Sequence, residues 1–223
     1  MAVAVLTVLM ILVGCWALLH SRVFSARVIR VTGAVHTPAS EIIAAAGLAD
    51  HPPLIDVTGA ATARLERLPW VAHATVTREW PDGVRIQVVE RSPVAAVSDG
   101  TAWVLVARSG KVLARVAVPP ATVVRVSSPS APGPPGTTLT SARPALKVAA
   151  SLPTAFKTQV ASVAAGPRGT VTLHLTSGLT VNLGSTAALT RKYEDVAAIL
   201  AGAKLTVGEV IDVAAPAAPI VTH

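Results

Sequence analysis

Leu68-Pro69-Trp70-Val71, then Arg78-Glu79-Trp80-Pro81-Asp82-Gly83-Val84, then Glu90-Arg91-Ser92-Pro93-Val94-Ala95 make up the stretch that decides the fold. Between the two tryptophans the chain alternates. Ala72, Ala74, Val76 and Trp80 fall on one side and His73, Thr75, Thr77 and Glu79 on the other, the period of a half-buried strand. Pro81-Asp82-Gly83 then reverses the chain, with proline presetting φ and glycine accepting the left-handed position. Val84, Ile86 and Val88 resume the apolar face on the return. Trp70 and Trp80 are expected as core anchors, because burying a large ring supplies much of a small domain's stability.

Towards the N-terminus, Phe24 to Val31 reads as a strand that Gly33 breaks. Thr37-Pro38 reads as an N-cap followed by proline in the first helical turn. Ile42, Ile43 and Ala46 form the buried stripe of that short helix, and Gly47 ends it. A second helix over about Thr58 to Leu68 places Ala61, Leu65 and Leu68 on one face, with Arg64, Glu66 and Arg67 mostly solvated. Strand, helix, helix, strand, strand is the order of a small α+β domain, here residues 23–92. The LPWV run, the A-x-V-x-R-x-WP pattern ending at Pro81 and the ER-x-PVA element resemble those of the POTRA domain of FtsQ/DivIB, the bitopic cell-division proteins of bacteria. The resemblance implies a POTRA fold of β-α-α-β-β order.

Beyond Pro93 a second unit, residues 93–215, reads as a mixed or antiparallel β domain with flanking helices. Val94 to Val97, Ala102 to Ala107, Val112-Leu113 and Val123 to Val126 read as strands. Residues 128–138, rich in proline and glycine, read as an exposed loop. Ala142, Leu146, Ala149 and Leu152 mark a helix. Val171, Leu173 and Leu175 alternate with Thr172 and His174, Ser177-Gly178 turns, and Leu179, Val181 and Leu183 return as a hairpin. Leu189, Tyr193, Val196 and Leu200 fall at helical spacing. A last strand covers about Glu209 to Ala214, with Pro216 and Pro219 stopping it and residues 216–223 left as a tail.

This unit also resembles the family, whose β domain carries a small helix with a lysine before its last strand, as Lys192 does here. The family often has an aspartate at the position of Ala107 and a serine at that of Ala214. The resemblance implies a scaffold that holds two small coiled-coil partners, FtsB/DivIC and FtsL, and so helps control the septal peptidoglycan synthase. Prolines cannot donate to a ladder, so a strand ended by them reads as a sheet edge onto which a partner segment can add. The partner-binding candidates are therefore Glu209, Val210, Ile211, Asp212, Val213 and Ala214, with Lys192 and Tyr193 on the preceding helix flanking the groove and reading an acidic partner residue. The competing reading makes Val210 to Val213 a closing core strand.

Residues 1–19 carry no charge. As a helix they are roughly 28 Å long, enough for a transmembrane anchor over residues 1–22. Leu12-Val13-Gly14-Cys15 resembles a lipobox, but the apolar run continues past Cys15 to Leu19, which argues for retention. Arg22, Arg27 and Arg30 follow the run and nothing basic precedes it, so the positive-inside rule alone points this flank to the cytoplasm. The resemblance implies the opposite orientation, with both domains outside the cell membrane and the protein at the division septum.

The formal charge is +7 and the only cysteine is Cys15, so neither an intramolecular disulfide nor a cysteine-based metal site is available. The charge suits anionic lipid or wall polymer. With basic residues scattered and only two phenylalanines and one tyrosine, no nucleic-acid stacking platform is visible. His20, His36, His51, His73, His174 and His223 show no helical metal-ligand spacing. No nucleophile, phosphate-loop or paired-carboxylate motif appears, so no catalytic residue, cofactor or enzyme activity is assigned. Two other readings stand beside the division scaffold: a POTRA-bearing component of polypeptide transport, which would ordinarily need a membrane barrel, and a wall-associated lipoprotein or enzyme with an unrecognised site.

Overall fold

A computed structural model of the chain describes residues 1–57, 59–215 and 220–222. It divides into two units, Met1–Arg91 and Ser92–His223.

The first unit opens with α1 (Ala2–Leu19), 18 residues without a charge, about 27 Å long at 1.5 Å per residue. Its apolar side chains, Val5, Leu9, Leu12 and Trp16 among them, are more than half exposed. Among the described residues no helix is long and apolar enough to cross a membrane. After a 3-10 turn at Arg22–Phe24 come β1 (Val28–Thr32), α2 (Ala39–Ala46), α3 (Gly59–Leu65), β2 (Val71–Glu79) and β3 (Gly83–Glu90). β3 lies in the middle of a three-stranded sheet, parallel to β1 and antiparallel to β2. Ile42 and Ala46 of α2, Ala61 and Leu65 of α3, and Val84, Ile86 and Val88 of β3 share one core.

Several local expectations are corrected. The first strand begins at Val28, since Phe24 belongs to the turn before it. Pro38, not Thr37, occupies the N-cap of α2, and the buried Thr37 hydroxyl has no partner. Gly47 ends α2 in the left-handed region at φ 75°, as glycine allows. Arg64 reaches the C-terminal end of α2, where its guanidinium donates to the carbonyls of Ala45 and Ala46 and so satisfies acceptors that the helix leaves orphaned. Thr58, read as the start of the second helix, lies outside the described residues. The alternation in β2 breaks at a bulge at Ala72, where Val71 pairs with Glu90 but His73 with Val89. Two residues then oppose one, so Val71 and Ala74 are both buried while Ala72 and Val76 are half-buried. Gly83 does not take the left-handed position. It starts β3 where a Cβ would come within 2.8 Å of the Glu79 carbonyl. Neither tryptophan is a core anchor: Trp80 is 51% exposed and meets Phe24 edge-on at 5.8 Å, while Trp70 is half-buried and stacks on His36 at 3.9 Å.

The second unit runs β4 (Pro93–Ser98), β5 (Trp103–Ala107), β6 (Val112–Val116), β7 (Val124–Ser127), α4 (Arg143–Ser151), α5 (Thr154–Lys157), β8 (Val160–Ala165), β9 (Val171–Leu175), β10 (Thr180–Gly184), α6 (Leu189–Gly202), β11 (Val210–Asp212) and β12 (Ile220–Thr222). Its strands form one mixed sheet of order β12-β11-β10-β9-β8-β7-β4-β5-β6. α4 lies across β4, β7, β8 and β9. The core gathers Leu146 and Ala149 of α4, Tyr193 and Val196 of α6, strand residues from Ala95 to Ile211, and Val213 just past β11. The 128–138 loop is mostly exposed, and its end returns beside β6, with the Gly136 and Leu139 amides donating to the carbonyls of Val112 and Gly110 at 2.9 and 2.8 Å. Two strands were not anticipated from sequence. β8 joins β7 to β9 through the middle of the sheet. β12 returns antiparallel to β11, pairing Val210 with Thr222, Ile211 with Val221 and Asp212 with Ile220. Pro216 and Pro219, read as the strand's stop, lie outside the described residues.

Candidate functional site

The sequence directs attention to β11 and to α6, which Lys192 ties to the end of β10. β11 aligns parallel to β10, with Thr180 opposite Val210 and Asn182 opposite Asp212. The pair is extended on both sides, since Thr180 N–H donates to the Glu209 carbonyl at 3.1 Å and Val213 N–H to the Asn182 carbonyl at 3.0 Å. Side chains repeat the link: Asn182 Nδ2 donates to Asp212 Oδ2 at 2.9 Å, and Asp212 Oδ1 accepts from Ala214 N–H at 2.8 Å. Beyond the end of β11, Ala214 meets Gly184, which holds φ 59° and whose Cβ, if present, would lie 2.7 Å from that of Ala214. Glycine is required there by both conformation and space.

The eight candidates do not share one environment. Ile211 and Val213 are buried core residues, Val210 and Asp212 are half-buried and Ala214 is exposed. Glu209 is 6% exposed and is turned back on its own loop, accepting from Thr206 N–H at 3.1 Å and Thr206 Oγ1 at 2.9 Å. Tyr193 is nearly buried, with its hydroxyl 2.9 Å from Ser151 Oγ and its ring 6.2 Å from Phe156. Desolvation raises its pKa, and the Ser151 hydrogen bond offsets part of the shift. A shallow apolar cleft of about 210 Å³ lies beside it, lined by Pro153, Ala155, Phe156, Gln159, Tyr193 and Ala197.

Lys192 overturns its expected role. It is 1% exposed, and its ammonium points inward, donating to the carbonyls of Leu183 at 2.6 Å and Ser185 at 2.9 Å. Burial pulls its pKa down, with the Asp212 carboxylate resisting the shift. An ammonium so placed staples α6 to the end of β10 and is closed to a partner's carboxylate. The edge itself also lies one strand further out than expected: β11 is covered, and β12 is the last strand of the sheet. Ile220 and Val221 there are 57% and 42% exposed. The β-branched run Ile220-Val221-Thr222 was the sequence signal for this strand.

In the first unit, Glu90 accepts from His36 N–H at 3.0 Å, Thr37 N–H at 3.1 Å and His36 Nδ1 at 2.7 Å. Burial alone would raise its pKa, but these hydrogen bonds outweigh burial and hold the carboxyl below its usual range. Among the described residues no group of three or more His, Cys, Asp or Glu is placed to hold a metal ion; His223 lies outside them.

Comparison with known proteins decides what kind of chain carries these units. The family model described as POTRA domain, FtsQ-type, matches residues 24–91. The model described as Cell division protein FtsQ/DivIB, C-terminal, matches residues 95–214. The chain belongs to the FtsQ/DivIB family. It is similar to Cell division protein FtsQ of Mycolicibacterium smegmatis, at 32% identity over 219 residues covering 98% of this chain and 63% of the relative. It is also similar to Cell division protein FtsQ of Streptomyces bingchenggensis, at 32% identity over 215 residues covering 93% of this chain and 80% of the relative. The chain thus spans less than two thirds of the length of the M. smegmatis FtsQ. Among solved structures, the major extracytoplasmic domain of the division protein DivIB from Geobacillus stearothermophilus covers 52% of this chain and 98% of that one at 17% identity, with a TM-score of 0.35, too low to bear on the fold.

Proposed function

We propose that this FtsQ/DivIB-family chain is a single-pass membrane scaffold of the bacterial division machinery, without catalytic activity of its own. On this reading it sits at the septum with both folded units outside the cytoplasm. It holds FtsB/DivIC-like and FtsL-like partners and thereby helps control the septal peptidoglycan synthase. The observation that carries the reading is the succession in one chain of an uncharged apolar helix, an FtsQ-type POTRA unit and an FtsQ/DivIB C-terminal unit.

α1 serves as the anchor. Apart from Thr7, whose hydroxyl donates to the Val3 carbonyl, its exposed side chains are apolar, a surface that water does not tolerate on an isolated helix and that hydrocarbon accepts. At about 27 Å it falls short of a full span, and on this reading a hydrocarbon core of roughly 30 Å thins locally to meet it. The partner docks by adding a strand outside β12. Backbone hydrogen bonds there supply affinity, and alternate side chains beside Ile220 and Val221 supply fit.

A fluorescent fusion in dividing cells tests the role: a midcell band is expected, and uniform peripheral signal throughout the cycle would refute it. Protease added to spheroplasts tests the orientation. Digestion of the part after Arg22 is expected, and full protection until the membrane is broken would refute it.

A further inference from the structure

Immediately after α1 the chain builds a polar cleft of about 310 Å³, lined by His20, Ser21, Arg22, Arg27, Asp50 and His51 together with neighbouring backbone. Arg22 and Arg27 bring two permanent positive charges against the one carboxylate of Asp50. Neither guanidinium has an ion pair among the described residues. That is unusual for cations gathered in a concavity rather than spread over an open surface, where solvent would screen them.

The walls are fixed by hydrogen bonds. Ser25 Oγ donates to the Arg22 carbonyl at 2.9 Å, His51 Nδ1 to the Ala26 carbonyl at 2.7 Å, and Ala26 and Arg27 N–H to the carbonyls of Pro52 and Asp82, each at 2.9 Å. His51 holds φ 51°, a left-handed conformation uncommon outside glycine. The Ser21 hydroxyl is buried without a partner, a polar group that the protein itself leaves unsatisfied. Close by in the chain, Val23 is 61% exposed, and the half-exposed Trp80 leans on Phe24. Cations beside an aromatic and aliphatic rim are the chemistry of a membrane–water interface.

We propose that this cleft binds the phosphate headgroup of an anionic phospholipid at the membrane surface from which α1 emerges. The inference rests on the anchoring reading of α1. A headgroup held between Arg22 and Arg27 would fix the first unit against the bilayer and limit its swing about the end of α1.

Full-length chain reconstituted into mixed vesicles, probed with spin-labelled phosphatidylglycerol and spin-labelled phosphatidylcholine, reads the preference as the ratio of motionally restricted lipid. Phosphatidylglycerol should be enriched, and Arg22→Gln and Arg27→Gln should each cut the enrichment by up to about fivefold, the effect of one basic residue at an anionic surface. Arg67→Gln removes the same charge from an exposed site just past α3, outside the cleft lining, and should leave the enrichment intact. Equal restriction of both lipids, with the chain firmly retained in the vesicles, would overturn the headgroup site. So would an enrichment that both arginine variants leave unchanged, or one that inorganic phosphate competes away, which would make the cleft a site for free anions. Release of the chain by alkaline carbonate, with no restricted lipid of either kind, would instead overturn the anchoring reading and the lipid site with it.

Discussion

Replacing Lys192 by methionine separates a buried staple from a docking residue. The side chains have similar length, so Lys192→Met removes the ammonium while keeping most of the packing. Two charge-assisted hydrogen bonds are lost, to Leu183 and Ser185, each contributing about 1.5–3 kcal/mol, and two buried carbonyls lose a donor. Against this, the ammonium no longer has to be desolvated, a cost visible in its lowered pKa. The balance is a loss of about 2–4 kcal/mol from the second unit, a large share of the ordinary stability of a domain. Hydrogen exchange of the full chain, followed in peptides from β9 and β10, reads that loss directly. Protection of the slowest amides should fall roughly thirtyfold to several-hundredfold, at tenfold per 1.4 kcal/mol. Lys192→Ala should fall further, since it adds a cavity. Protection within threefold of wild type, accompanied by lost partner binding, would show that the ammonium works outward and that the burial argument is wrong.

Two further perturbations test the first unit. Trp80→Ala should cost only about 1–1.5 kcal/mol, because half the ring is already in water, whereas Ile86→Ala, fully buried, should cost about 2–5 kcal/mol; urea unfolding in which Trp80→Ala is the more damaging would refute that ranking. The Glu90 carboxyl titrates below its unfolded value of 4.5 when folded, so its contribution is fully present above that pH and is lost as the pH falls through the folded value. Glu90→Gln should therefore destabilise the first unit by about 1–2 kcal/mol at neutral pH and flatten the acid limb of its stability profile, and an unchanged acid limb would show that another group drives it.

The parts legible in the sequence are those where local pattern and tertiary burial agree. The β9–β10 hairpin shows period-two alternation of Val and Leu on both arms and a glycine at the turn, and it forms where the pattern places it. The stripe of α2 and the central β3 follow for the same reason. β8 was invisible because Ala161, Ser162, Ala164 and Ala165 give no hydrophobic alternation; its strand state comes from the neighbours it pairs with on each side. The β2 bulge was hidden because inserting one residue leaves composition untouched while turning Val71 inward. Trp80 matched the alternation but follows the end of β2, so the pleat no longer dictates its direction. At the sheet's end, the hydrophobic residues of β11 were readable as strand. The inward turn of Lys192 was not, because a lysine on an amphipathic helix ordinarily faces water, and only the seating of α6 over the Leu183 and Ser185 carbonyls reverses it.

The central claim is that this chain scaffolds division partners through the β12 end of its second sheet. A photo-cross-linking amino acid placed at Val221 on β12, with Val118 just past β6 as the comparison, tests it in living cells. Both positions are well exposed, at 42% and 78%, and they lie at or next to opposite ends of the strand order. The account predicts an adduct with the FtsB/DivIC-like partner from Val221 and none from Val118. An adduct from Val118 alone, or none from Val221 while the partner still co-purifies with the chain, would contradict it.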